Sequence, residues 1–96
     1  MSEAIRLNLG CGIKRFHMPG WINIDYRKEC EPDKLMDITN RWPLMDDSAV
    51  KIRADNLLEH IGWGVNGEDL LVVVMNEAHR VSAPGGEFCI SSVRVE

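Results

Sequence analysis

Three groups of residues in this sequence have chemistry suited to binding or converting a ligand. The first is a glycine pair, Gly10 and Gly12, which directly follows an alternating apolar segment. The second is a pair of carboxylates, Asp25 and Asp37, each at the end of a short apolar segment. The third is His60, whose imidazole suits general-base catalysis near neutral pH. Because glycines one residue apart let the backbone turn sharply beside a ligand, the pattern predicts a nucleotide-like ligand at this turn.

The spacing around the glycine turn does not fit two common nucleotide sites. A dinucleotide fingerprint needs a third glycine three residues after Gly12, where this chain has Arg15. A P-loop needs Gly-Lys-Ser or Gly-Lys-Thr, which residues 12–15 do not supply. NAD, FAD and nucleoside triphosphates are therefore not the expected ligands. A purely steric role for the two glycines stays open, since many turns use Gly-x-Gly only to bend the chain.

Composition sets limits on the class of protein. A chain of 96 residues predicts one domain, residues 1–96, of modest stability. With 15 acidic and 11 basic residues and no basic run, duplex nucleic acid is not an expected partner. Three cysteines without metal-type spacing predict reduced thiols and no structural zinc. No signal peptide or membrane-spanning run is found, so we expect a cytoplasmic protein without a membrane partner.

The elements that position the candidate residues are short strands, loops and one helix. The apolar patterns predict five strands, over residues 5–9, 21–25, 34–38, 50–54 and 87–95. Residues 11–20 contain Pro19 and Gly20, so an irregular loop with at most one helical turn is expected there. A helix is predicted from a cap at Asn66 through Arg80, with Pro84-Gly85-Gly86 ending it before the fifth strand.

Strands that alternate with crossovers predict an α/β fold with a mostly parallel, Rossmann-like sheet. In such sheets ligands bind outside the carboxyl ends of the strands. Gly10, Asp25, Asp37 and His60 would all lie at that edge. Their convergence favours a ligand site over unrelated structural roles.

Five motifs in register resemble the class I S-adenosylmethionine-dependent methyltransferases, in the short form with an abbreviated first crossover. The motifs are Leu7-Asn8-Leu9-Gly10-Cys11-Gly12, Gly20-Trp21-Ile22-Asn23-Ile24-Asp25, Asp37-Ile38-Thr39, Leu58-Glu59-His60 and Arg80-Val81-Ser82-Ala83-Pro84-Gly85-Gly86. They cover almost the whole chain. The resemblance implies S-adenosylmethionine as the cofactor and methyl transfer to an O or N acceptor, which these residues do not identify.

The resemblance also implies which residues bind the cofactor. Asp25 would accept hydrogen bonds from the two ribose hydroxyls, since a carboxylate suits a diol. Asp37 with Ile38 would bracket the adenine. The methionine part would be bordered by Asn8, Leu9, Gly10, Cys11, Gly12, Asn56 and Leu57.

The residues themselves leave structural alternatives open for three of these roles. Asp25 is also suited to satisfying loop amides at the end of a strand, and Asp37 to capping a turn. An Asx turn explains Asn56 equally well.

Methyl transfer from a sulfonium is an in-line displacement, in which positioning supplies most of the acceleration and a base is optional. His60 is the candidate general base, and the alternative is that Glu59 and His60 only orient the loop. Some relatives of the resembled family bind a divalent metal through Glu-x-x-Glu-His. Here Asn56 replaces the first glutamate, so no metal site is predicted.

Three other polar side chains are expected to be structural. His17 has no partner at a functional spacing and is expected at the surface. Glu77 and Arg80 lie one helical turn apart and predict an exposed ion pair.

Two departures from the resembled family bear on function. Lys51 stands where the family usually has an acidic residue. The given sequence ends at Glu96, before the further helix and antiparallel strand pair that members of the family have. We therefore expect an open edge at the fifth strand. The alternatives are a homodimer through this edge, a fragment of a longer protein, or a missing part that comes from elsewhere. The alternative function is a truncated, catalytically silent cofactor-binding module, or a fold-only interaction domain that needs a partner.

Overall fold

The computed structural model describes residues 4–55 and 70–91 of the chain. Within these residues the chain forms one parallel sheet and one α-helix. The strands are β1 (Ile5–Leu9), β2 (Ile22–Asp25), β3 (Lys34–Leu35), β4 (Ala49–Asp55) and β5 (Ser82–Ser91), and the helix is α1 (Leu70–Val81). This arrangement confirms the predicted parallel α/β sheet.

The strand order is β3-β2-β1-β4-β5, and every neighbouring pair is parallel. The sheet therefore grows outward from β1 in both directions, and the strand order reverses between β1 and β4. Such a reversal leaves a crevice at the carboxyl ends of the two strands, where ligands of open α/β sheets bind. The connection from β1 to β2 contains only a single 3₁₀ turn, Lys14–Phe16, in agreement with the predicted irregular loop.

The hydrophobic core lies between one face of the sheet and α1. Alternation along β1 buries Leu7 and Leu9 completely, while the helix contributes residues at the spacing of one helical face. The fully or almost fully buried members of this core are Leu7, Leu9, Ile24, Trp42, Ala49, Ile52, Ala54, Val74, Ala78 and Val81. Packing of this face explains why the valine-rich segment is helical despite its modest intrinsic propensity.

The third strand is shorter than predicted. The sequence predicts a strand over 34–38, whereas β3 contains only Lys34–Leu35. Asp37 ends the extended segment, because its side chain accepts hydrogen bonds from the backbone and hydroxyl of Thr39 and its carbonyl accepts one from Asn40. These bonds form a turn that competes with strand pairing.

The fifth strand begins earlier than predicted. Helix α1 ends at Val81, and β5 starts at Ser82 rather than at Glu87. Ser82 pairs with Ala49, and regular pairing resumes only at Glu87 opposite Lys51, so residues 83–86 form an irregularity within the strand. Gly86 makes this possible, because a Cβ atom there would lie 2.9 Å from one backbone carbonyl oxygen and 3.0 Å from another.

The prediction of an exposed Glu77–Arg80 pair is wrong. The two side chains are only 12% and 17% exposed. Arg80 donates to the carbonyls of Trp42 and Leu44 and to Asp46, and Glu77 accepts the Trp42 backbone N–H at 2.6 Å. The pair therefore fastens α1 to the loop before β4, a role that helical spacing alone does not reveal.

We expect Glu77→Gln to lower the free energy of unfolding at neutral pH by about 1.5–3 kcal/mol, since it removes a charged hydrogen-bond acceptor. The Arg80 hydrogen bond, opposed by burial and aided by the Trp42 amide, lowers the pKa of Glu77 from 4.5 to about 2. Because the pKa is lowered on folding, this stabilisation is complete above about pH 4.5 and is lost as the pH falls through about 2.

Urea unfolding measured over this acid range tests the expectation. Glu77→Gln should show a shallower loss of stability with falling pH than the wild-type chain. Glu29→Gln, which changes an exposed glutamate, is the matched control and should retain the wild-type pH dependence. Identical pH profiles for Glu77→Gln and the wild-type chain would contradict the assigned role.

Two further features bear on partners. In residues 4–55 and 70–91 no helix has the length and apolar character needed to cross a membrane. Strand β5 lies at an edge of the described sheet. A homodimer formed through this edge stays a prediction.

Candidate functional site

The glycine turn after β1 is bonded to the end of β2. Gly10 and Gly12 have φ angles of 61° and 70°, a left-handed conformation that favours glycine. The Cys11 N–H donates to the Ile24 carbonyl at 2.9 Å, which extends the contact between the two strands. The Gly12 N–H then donates to Asp25 Oδ2 at 3.0 Å. Two predicted site residues from separate strands are thereby brought into direct contact.

The Asp25 carboxylate is buried and accepts hydrogen bonds at both oxygens. Its side chain is 2% exposed. Oδ1 accepts the Arg27 backbone N–H at 3.0 Å and Nε–H at 3.1 Å, while Oδ2 accepts from Gly12 and from Arg27 Nη2 at 3.4 Å. These bonds match the structural alternative, in which Asp25 satisfies loop amides. Its contact with a ribose diol stays a prediction.

These contacts also fix the charge of Asp25. Burial acts to raise the pKa, but the side-chain and backbone hydrogen bonds from Arg27 and the amide of Gly12 outweigh it, so the pKa lies below its usual value. Asp25 is therefore an ionised carboxylate at neutral pH, and both of its oxygens act as acceptors.

His17 is a contact of the glycine turn that the sequence did not predict. Its Nε2 lies 3.0 Å from the Gly12 carbonyl oxygen and 3.3 Å from Cys11 Sγ. With its proton on Nε2, the ring donates to this carbonyl and links His17 to the glycine turn. Its position in an irregular loop gave no periodic signal from which this contact could be inferred.

The Cys11 thiol is not an activated nucleophile. Burial, followed by the negative charge of Asp25, raises its pKa to about 11. The thiol is therefore protonated at neutral pH, whereas nucleophilic attack needs the thiolate. Cys11 contributes packing and backbone contacts to the turn rather than covalent chemistry.

A pair of buried amides lies beneath the turn. Asn8 Nδ2 donates to Asn23 Oδ1 at 2.9 Å across β1 and β2, and each residue is 5% exposed. Asn23 in turn accepts the Met18 N–H and bonds to Asp33 through its backbone and side-chain amides. In the sequence each asparagine interrupts an apolar strand, and the parallel register in the structure places the two side by side.

A cleft of about 540 Å³ opens beside the glycine turn, a volume in the range of small-molecule sites. It combines backbone groups, a buried amide, two apolar side chains and a cation. Its lining residues are Asn8, Gly10, Cys11, Gly12, Phe16, Met18 and Arg53. Four of these seven are predicted cofactor-binding residues, while Phe16, Met18 and Arg53 were not identified from the sequence.

The other predicted site residues lie elsewhere or outside the described part of the chain. Leu9 is completely buried in the core. Asp37 is exposed and caps the turn at Thr39, and the Ile38 carbonyl accepts the Trp42 indole N–H at 2.8 Å. Asn56, Leu57 and His60 fall outside residues 4–55 and 70–91.

Among the residues that the structure describes, no group of three His, Cys, Asp or Glu side chains is arranged to hold a metal ion.

The chain was compared with protein-family models, with curated proteins and with solved structures, and none of these comparisons found a match.

Proposed function

We propose that this chain binds S-adenosylmethionine at the carboxyl edge of its sheet and transfers the methyl group to an O or N acceptor on a small molecule or protein. The observation that carries the proposal is the hydrogen bond from Gly12 to Asp25. It joins the glycine turn after β1, which lines a cleft of ligand size, to an ionised carboxylate at the end of β2. This is the edge at which parallel α/β sheets bind nucleotides.

Each part of the site suits one part of the cofactor. The Asp25 carboxylate is an acceptor for the ribose diol. The backbone of Gly10 and Gly12 allows close approach of the methionine part. Arg53 in the lining of the cleft supplies a positive charge of the sign that suits the methionine carboxylate.

The proposed reaction asks little of the protein besides positioning. The acceptor lone pair forms a bond to the methyl carbon as the bond from that carbon to the sulfonium sulfur breaks. S-adenosylhomocysteine leaves as a neutral thioether, and the acceptor loses its proton to solvent or to a base. Holding the acceptor in line with this bond converts an encounter of two molecules into a step within one complex. His60 remains the proposed base.

Calorimetric titration with S-adenosylhomocysteine and with its 2′-deoxy analogue tests the cofactor site without altering the protein. We expect saturable binding of S-adenosylhomocysteine and binding of the analogue that is about 10- to 100-fold weaker. The reason is that a hydrogen bond to a charged group contributes about 1.5–3 kcal/mol. No binding by the folded chain would contradict the proposal, and equal affinities would contradict the role of Asp25.

One observation favours a second candidate function, a fold-only interaction domain. Gly12 and Arg27 already donate to both oxygens of Asp25, so this carboxylate has a structural role that needs no ligand. A folded chain that binds neither S-adenosylmethionine nor S-adenosylhomocysteine would favour this candidate.

A further inference from the structure

The Arg27 guanidinium donates hydrogen bonds to both carboxylate oxygens of Asp25, the same oxygens that the proposed ligand would bind. Its Nε lies 3.1 Å from Asp25 Oδ1, and its Nη2 lies 3.4 Å from Oδ2. The Arg27 side chain is 47% exposed, whereas the Asp25 side chain is 2% exposed. The guanidinium is thus the solvent-accessible member of the pair and helps to cover the carboxylate.

The hydrogen bonds to Asp25 divide into two kinds. Two come from backbone amides, those of Gly12 and Arg27, which the glycine turn and the end of β2 hold in place. The other two come from the Arg27 guanidinium, at the end of a long side chain with several rotatable bonds. A carboxylate has about four acceptor positions, and these four bonds use them.

A ribose diol offers two hydroxyl donors on neighbouring carbon atoms. Each hydroxyl takes the place of one guanidinium hydrogen bond to Asp25, and the hydrogen bonds from the two backbone amides remain. The exchange keeps the buried Asp25 carboxylate fully hydrogen-bonded and returns the Arg27 guanidinium, whose side chain is already 47% exposed, to solvent. A ligand with only one hydroxyl regains only one of the two bonds lost.

We propose that Arg27 competes with the ligand for Asp25 and thereby selects for ligands that carry two adjacent hydroxyls. The guanidinium leaves the carboxylate when such a ligand binds and returns when it dissociates. This inference rests on the proposed function, because it assigns a specificity-determining residue to the same site.

Calorimetric titration of Arg27→Ala with S-adenosylhomocysteine tests the competition. Removing the competitor should tighten binding about two- to fivefold. Lys28→Ala is the matched control, since it removes the same charge from the next residue, which is exposed. Its affinity should equal that of the wild-type chain. Arg27→Gln, which keeps a hydrogen-bond donor without the charge, should fall between the wild-type chain and Arg27→Ala.

Salt provides a second readout that a merely structural role would not change. Raising the ionic strength screens the Arg27–Asp25 pair, so the gain in affinity of Arg27→Ala over the wild-type chain should shrink as salt is added. The variant keeps both backbone amides that bond to Asp25, and thermal unfolding verifies that it is folded.

The outcomes separate this inference from the function on which it rests. Tighter binding by Arg27→Ala, with wild-type affinity in Lys28→Ala, supports the competition. Equal or weaker binding by Arg27→Ala would overturn it while leaving the cofactor site standing. If the folded wild-type chain and all three variants fail to bind, both proposals are contradicted.

Discussion

Replacement of Trp42 by alanine is expected to lower the free energy of unfolding by about 3–5 kcal/mol. Trp42 is 1% exposed and is a large, fully buried side chain of the core. Its indole N–H also donates to the Ile38 carbonyl at 2.8 Å, so the substitution leaves both a cavity and an unpaired buried acceptor. A chain of this length has a total stability of about 5–14 kcal/mol, so the loss would be a large share of it.

Thermal and urea unfolding measure this loss, and we expect the midpoint of thermal unfolding to fall by on the order of 20 °C. Trp42→Phe keeps most of the ring volume but removes the N–H, and we expect it to cost about 1–3 kcal/mol. Tyr26→Ala removes an aromatic ring that is 70% exposed and serves as the control, with a change within about 0.5 kcal/mol. A Trp42→Ala variant as stable as Tyr26→Ala would contradict the assigned core.

Asp25→Asn is the second substitution with a large expected effect, about 2–3 kcal/mol at neutral pH. An asparagine keeps the shape of the side chain but has only one acceptor oxygen. Its amide group would face either the Gly12 N–H or the donors of Arg27, so one buried donor would lose its partner. The charge that attracts the guanidinium is lost as well.

Urea unfolding of this variant also has a distinctive pH dependence. Since the pKa of Asp25 is lowered on folding, the wild-type chain loses this contribution only as the pH falls through and below the usual aspartate range. The free energy of unfolding of Asp25→Asn should therefore decrease less than that of the wild-type chain as the pH falls through this range. Asp47→Asn is the matched control, because Asp47 is exposed and has a φ angle of 56°, a conformation that asparagine also adopts. Equal stability of the two variants would contradict the role of Asp25.

The sequence predicts best those elements whose signals are local. Strand β1 follows from the alternation of Leu7 and Leu9 with polar residues, and the turn follows from Gly10 and Gly12. The apolar period through residues 70–81 predicts α1 and places its end within one residue of Val81, whereas the predicted cap at Asn66 lies outside the described residues. In each case the deciding interactions lie close together along the chain.

Elements that depend on distant partners were predicted less well. Pro84-Gly85-Gly86 has the composition of a break, yet these residues lie within β5, because Ser82 already pairs with Ala49. The residue at which β5 starts is set by its register with β4, and this register cannot be inferred from local composition. The spacing of Glu77 and Arg80 predicted their contact but not the loop that packs against both.

The candidate site also contains some contacts that the sequence predicts and others that it does not. The parallel sheet implies that Gly12 and Asp25 lie at one edge. In the structure the Gly12 backbone nitrogen lies 3.0 Å from Asp25 Oδ2. Asn8 and Asn23 stand out as polar residues within apolar strands, but their pairing depends on the register of β1 and β2, which the structure shows and local composition does not. The contacts of His17 and Arg27 depend on loop geometry and side-chain rotamers that no sequence period encodes.

The most direct test of the cofactor site is an NMR titration of the labelled chain with S-adenosylhomocysteine, followed at individual amides. We predict saturable shifts of the Gly10 and Gly12 amides and of the Arg27 Nε–H signal. The amides of Asp47 and Ser48, at the amino edge of the sheet, should not move. A folded chain whose Gly12 and Arg27 signals stay unchanged at high ligand concentration would contradict a cofactor site at this edge.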